Sequence, residues 1–331
     1  MVFQIMFALI PLLMNTKDAV IAQPANGPGG ADYQHEEVIF KDFAQAEDGY
    51  WLFLPSQPMP KAAHLVVFNH GYGAYNPMVY GQWLRHLVRK GNIVIYPRYQ
   101  KNLLHPKPDK FAKNVATAIQ DALHQLDTSQ QIRPILDHFS IVGHSYGGAI
   151  AADLAVNYSS YNIPKPKALM LCAPGTGFLK GGRLDTYEQL PKDLKLIIVA
   201  EDDDHVVGDE FAKLVFETAT NTPNRNLIYH FEDKNKNENR RIGAKHNECY
   251  GIDQAFDTGL RNITAMRASR WDEVNEVDYY CYWKLFDALL DCTRYGKNCS
   301  FAFGGSPEQK YMGEWKKGKK IRALEVILPP N

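Results

Sequence analysis

The chain has 331 residues, 45% of them hydrophobic and 22% charged, which is enough apolar material for a sizeable buried core. Lysine and arginine number 37 together, matched by 37 aspartates and glutamates. This balance gives no basic surface for nucleic acid, no internal apolar run is long enough to span a bilayer, and no repeat is visible.

The first residues, MVFQIMFALIPLLM, carry no charge before Lys17. Val20-Ile21-Ala22 fits the small-residue pattern ahead of a cleavage point, and a stretch rich in glycine and proline follows it. The pattern predicts a signal peptide over residues 1–22, although no basic residue opens it. Pro11 argues against the alternative, a buried helix. The expectation is a mature chain of residues 23–331, secreted or periplasmic and without a membrane span. Without such a signal the protein would be cytoplasmic.

From about residue 37 to 232, short apolar runs alternate with helical periodicity. EEVIF and YWLFLP read as an opening antiparallel pair. HLVVFNHG is almost continuously apolar and ends in glycine, as a strand buried on both faces does. PMVYGQWLRHLVRKG predicts an amphipathic helix closed by Gly91, and NIVIYPRY the next strand. KFAKNVATAIQDALHQL has apolar residues at helical spacing, HFSIVGHS returns to strand, and YGGAIAADLAVNY is helical again. Strand KALMLCAP, the loop GTGFLKGGRLDTYEQLPKD, strand LKLIIVAE, helix DEFAKLVFETA and strand NLIYHFE complete the series. Such alternation requires crossover connections, hence a mostly parallel sheet with helices on both faces. Ligands on these sheets sit at the carboxyl ends of the strands. Every unusual polar cluster of this chain follows a strand.

KNKNENRRIGAK reads as an exposed loop, and beyond it the alternation stops. Within residues 251–331, VDYYCYWKLFDALLDC predicts an apolar helix and KKIRALEVIL a last strand. These are too few elements for a separate domain, so the segment is expected to be an extension of the same domain. Cys172, inside ALMLCAP, reads as a core thiol. Cys249, Cys281, Cys292 and Cys299 remain, and four cysteines allow three pairings. The short separation of Cys292 and Cys299 favours that bridge and leaves Cys249 with Cys281. Free thiols in a reducing compartment are the alternative. No CxxC spacing occurs, so no metal is expected.

Gly143-His144-Ser145-Tyr146-Gly147 has the G-x-S-x-G form of a nucleophile elbow and lies at a predicted strand-to-helix junction. The glycines let strand and helix backbones approach, and the helix N-terminus favours developing negative charge. A hydroxyl needs a base, and the base an orienting acid. EDDDHVV follows the strand LKLIIVA, and Asp203 is the first choice of acid, with Asp202 or Asp204 taking the role if the loop register differs. Of the later histidines, His205 is too close to Asp203, and His230 sits within a strand. His246, in GAKHNECYG, is on a loop able to reach over the end of the sheet and is the expected base. In NHGYGAYN, Tyr72 would supply one amide of an oxyanion hole and Tyr146 the other, while both rings wall a pocket.

With HGYG, GHSYGG, AEDDDHVV and KHN in this order, the chain resembles the α/β-hydrolase superfamily over about residues 60–250. Within it the likeness is to dienelactone-hydrolase-like, chlorophyllase-like and polyester-hydrolase-like esterases. Dienelactone hydrolases proper use a cysteine nucleophile where this chain has Ser145. The resemblance implies an α/β-hydrolase fold and a serine hydrolase acting on small-molecule or polymeric carboxylic esters, with no cofactor. A peptidase or acyltransferase on the same fold is the competing reading, and an inactive binding protein a third. The loop after the sixth strand is too short for a large helical lid, which favours an open cleft.

Overall fold

The apolar runs become the strands of one large sheet. The computed structural model describes residues 21–129, 131–179, 181–268 and 274–330. Of the expected signal peptide, residues 1–22, residues 1–20 lie outside the described residues, whereas Ile21 packs against the core and its amide donates to Glu276 (2.8 Å). Strands β1 (Glu37–Asp42) and β2 (Tyr50–Ser56) form the antiparallel pair that opens the chain. Six further strands run parallel: β3 (Ala62–Asn69), β4 (Asn92–Pro97), β5 (Arg133–His144), β6 (Ala168–Cys172), β7 (Lys195–Glu201) and β8 (Arg225–His230). A small hairpin, β9 (Asp233–Asn235) and β10 (Arg240–Ile242), stands apart. β11 (Glu325–Ile327) adds antiparallel to β8. The nine-stranded order is β1-β2-β4-β3-β5-β6-β7-β8-β11.

Each face of this sheet is covered because both faces are apolar. The helices are α1 (Gly81–Arg89), α2 (Pro108–Ser129), α3 (Tyr146–Val156), α4 (Glu210–Thr218), α5 (Ile263–Ala268) and α6 (Trp283–Tyr295), with the short α7 (Cys299–Ala302) and α8 (Pro307–Lys310) after them. Along β3, Val66 and Phe68 share a core with α1 and α6, whereas Leu65 and Val67 share the opposite core with α2, α3 and α4. That is the two-residue alternation of a strand buried on both sides. In α3, Gly147, Gly148, Ala149, Ala151, Ala152 and Ala155 are small, so the helix lies close against the sheet and is buried from Tyr146 to Ala155.

The extension beyond residue 250 contributes to this packing. Trp283, Leu285, Phe286 and Leu289 of α6 share a core with Val142, Met170, Ile197 and Val199 of the central strands. Lys284, also buried, donates to the carbonyls of Glu308, Gln309 and Tyr311 and so ties the following segment to the helix. Cys292 and Cys299 form a disulfide with an S–S distance of 2.06 Å at the end of α6. The expected Cys249–Cys281 bridge is absent: both are free thiols, as is Cys172. The three lie in the core near Glu201, and burial pushes each thiol well up from its ordinary pKa. They pack there as small apolar groups.

Candidate active site

β5 passes into α3 through Ser145, whose backbone (φ 55°, ψ −123°) is in a region that non-glycine residues seldom occupy. Hydrogen bonds hold it there: its amide donates to Cys172 O (2.9 Å), and its carbonyl accepts from Gly148 (2.9 Å) and Gly175 (3.1 Å). The flanking glycines are required by close approach. A Cβ on Gly143 would collide with the Gly147 carbonyl, and one on Gly147 with the carbonyls of Asn69 and His70. Ser145 is thereby held at the carboxyl end of the sheet with its side chain facing the loops.

His246, on the loop after β10, reaches back over that edge. Its Nε2 is 2.8 Å from Ser145 Oγ, and its Nδ1 is 2.7 Å from Asp204 Oδ2. The structure thus differs from the sequence expectation at the acid. Asp204 meets the histidine, whereas Asp203 is one-third exposed and pairs with His205 (2.9 Å). The reason is the turn at the end of β7. The Asp204 amide donates back to Glu201 O (3.3 Å), and the Asp203 amide donates to Ala244 O (2.9 Å), turning the Asp203 side chain outward. Asp204 Oδ1 accepts from the amides of Val206 (2.8 Å) and Val207 (3.1 Å). This side-chain turn, with an aspartate two and three residues ahead of its donors, is the signal in DHVV that would have selected Asp204. Burial alone would raise the Asp204 carboxyl, but the His246 hydrogen bond and charge, with the two valine amides, hold it below the ordinary carboxylate value.

The loop after β3 faces the serine, with Gly71 packed against the side chains of Ser145 and His144. Five contacts fix it: Gly71 N to Tyr80 Oη (2.9 Å), Gly73 N to Gln100 Oε1 (2.7 Å), Ala74 N to Gly71 O (2.9 Å), Asn262 Nδ2 to Gly73 O (2.7 Å), and Thr264 Oγ1 to Tyr72 O (3.4 Å). Among the described residues the amides of Tyr72 and Tyr146 have no intramolecular acceptor. Both residues line a cavity of about 220 Å³ that includes Ser145 and His246. Phe178, Leu179, Val206 and Val207 supply much of its apolar wall, and the loop after β6 contains no helix among its described residues.

Sequence reasoning missed His144. It is fully buried, and its Nε2 lies 2.7 Å from His246 O, an oxygen that can only accept. The ring proton is therefore on Nε2, and Nδ1 accepts from Tyr80 Oη at 2.7 Å. A continuous chain then runs from the Gly71 amide through Tyr80 and His144 to the backbone of His246. Burial, with the neighbouring His246, pushes His144 down to about 3, so it is a neutral strut. A second anchor lies under the acid loop. Glu201 Oε2 is 2.6 Å from His230 Nδ1, and its other oxygen accepts from Tyr282, the residue just ahead of α6.

A nine-stranded, mostly parallel sheet with helices on both faces and a strained serine at a strand-to-helix turn is the α/β-hydrolase fold. More narrowly, the sequence model of the chlorophyllase family matches residues 53–190, which supports an ester-hydrolase role in general. That stretch includes the Tyr72 loop and the Ser145 elbow and ends before Asp204 and His246. No curated protein matches the chain. Among the described residues no helix is long and apolar enough to cross a membrane.

Proposed function

We propose that the protein is a serine hydrolase of carboxylic esters in which Ser145 is the nucleophile, His246 the base and Asp204 the orienting acid. The observation that carries this reading is the unbroken hydrogen-bonded line Ser145 Oγ–His246–Asp204 at the carboxyl edge of the sheet. His246 Nε2 takes the hydroxyl proton as Oγ adds to the ester carbonyl, then returns it to the leaving alcohol. Asp204 fixes the tautomer and stabilises the imidazolium. The amides of Tyr72 and Tyr146 donate to the oxyanion of the tetrahedral intermediate. Water, activated by the same histidine, then releases the acid and regenerates Ser145.

The small apolar cavity and the short loop after β6 favour esters of small molecules or of accessible polymer ends. The Cys292–Cys299 disulfide supports an oxidising compartment and hence export. Turnover of a panel of p-nitrophenyl esters, peptides and polyesters by wild type and Ser145→Ala tests the proposal. Ester turnover should fall at least a thousandfold in the variant. Ester turnover by folded Ser145→Ala at the wild-type rate would sink it.

A further inference from the structure

Among the described residues, the cavity around Ser145 holds a single fixed charge. Of the described residues lining it, only Arg267 carries one, His246 being the base, while the remainder are glycine, apolar, hydroxyl-bearing or amide side chains. Arg267 comes from α5, a helix of the extension that lies outside the stretch matched by the chlorophyllase family. The helix is fastened to the oxyanion loop, because Thr264 Oγ1 reaches Tyr72 O and Asn262 Nδ2 reaches Gly73 O. Arg267 lies three residues after Thr264, hence on the same face of the helix, and both line the cavity.

Its guanidinium has no carboxylate and no hydrogen-bond acceptor among the described residues. Nearby Arg261, in contrast, is paired with both oxygens of Asp257 at 2.6 Å. Arg267 is exposed as well as cavity-lining, so it stands at the open rim. An unpaired guanidinium beside an apolar wall suits a ligand with an apolar middle and an anionic end, because its forked donors match a carboxylate.

We infer that Arg267 selects esters whose acyl chain ends in a carboxylate, that is, half-esters of short dicarboxylic acids. The inference rests on the ester-hydrolase reading above. Ser145 and Arg267 line the same cavity of about 220 Å³, which has room for a short diacid between them. Hydrolysis adds water across the ester, releasing the alcohol, a proton and the dicarboxylate. Arg267 binds the distal carboxylate throughout and takes no part in bond making.

The test compares monomethyl adipate with its distal carboxamide and with methyl hexanoate, following methanol release at low and high salt. Wild type should favour the carboxylate over the carboxamide by about fivefold to tenfold in kcat/KM, mainly through KM, and the preference should shrink with salt. Arg267→Gln should bring the ratio close to one, Arg267→Glu should invert it, and Arg267→Lys should keep part of it. A ratio that is the same in wild type and Arg267→Gln overturns the inference and leaves the esterase reading standing. If wild type hydrolyses none of the three nor any p-nitrophenyl ester, both readings fail together.

Discussion

His144→Phe separates a strut from a spectator. The substitution keeps a buried ring but removes both hydrogen bonds, leaving the Tyr80 hydroxyl proton and the His246 carbonyl without partners in the core. Each buried group left unpaired costs about 1–3 kcal/mol, so the loss of both should make the variant less stable by about 2–6 kcal/mol at pH 7. The deficit should then depend on pH. Wild-type His144 has its pKa lowered from 6.5 to about 3 on folding. Between those values the unfolded chain binds a proton that the folded chain does not, so wild type loses stability as pH falls through this window. At about 1.4 kcal/mol per pH unit, some 2.7 kcal/mol of this contribution is gone by pH 4.5. The variant has no such group, so the gap between the two proteins should narrow by about this amount in acid. Urea unfolding of both proteins from pH 7 to pH 4.5 measures it. Near neutrality kcat should also fall by about tenfold or more, with little change in KM, because the base loses its backbone support. A stability gap that is constant or widens in acid would refute a neutral, hydrogen-bonded His144.

Asp204→Asn should lower kcat by about ten thousandfold, because an amide cannot stabilise the imidazolium, whereas Asp203→Asn should change it less than about twofold. Steady-state kinetics on one ester compares the two, and a larger loss from Asp203→Asn would reverse the assignment of the acid. Removing the Cys292–Cys299 bridge by a double alanine substitution should cost about 2.5 kcal/mol by loop entropy for a separation of 7 residues, with kcat/KM unchanged at moderate temperature. Denaturant unfolding and ester kinetics on the double variant check both parts. Cys172, Cys249 and Cys281 should resist alkylation in the folded protein and react together on unfolding, as mass mapping would show, and a Cys249–Cys281 crosslink would contradict the buried free thiols.

The parts of this molecule visible in its sequence are those encoded by local pattern. HLVVF, SIVGH, ALMLC and LIIVA are runs that only a strand buried on both faces requires, and the loops that follow them carry the Tyr72, Ser145 and Asp204 segments. Gly143 and Gly147 are legible because the backbone crossing excludes any side chain. The choice between Asp203 and Asp204 depends on a single turn, where one residue of register decides which carboxylate points inward. Cys249 and Cys281 look like partners because they flank the base loop and the helix, yet both lie buried near Cys172. The role of His144 was hidden for another reason. Its partners Tyr80 and His246 are 64 and 102 positions away, so no local spacing announces them. The same holds for Arg267, which reaches the cavity only because the extension folds back over the oxyanion loop.

The most direct measurement is covalent labelling with a fluorophosphonate, followed by mass mapping of the adduct. An activated serine displaces fluoride from phosphorus and retains the phosphonyl group, so the label reports the nucleophile itself, whatever the natural ester. One phosphonyl group should be found on Ser145 of the folded wild type, with ester turnover falling in proportion to labelling. His246→Ala and Asp204→Asn should label far more slowly. A folded protein that hydrolyses esters yet takes no label, or takes it on another residue, would contradict the Ser145–His246–Asp204 assignment.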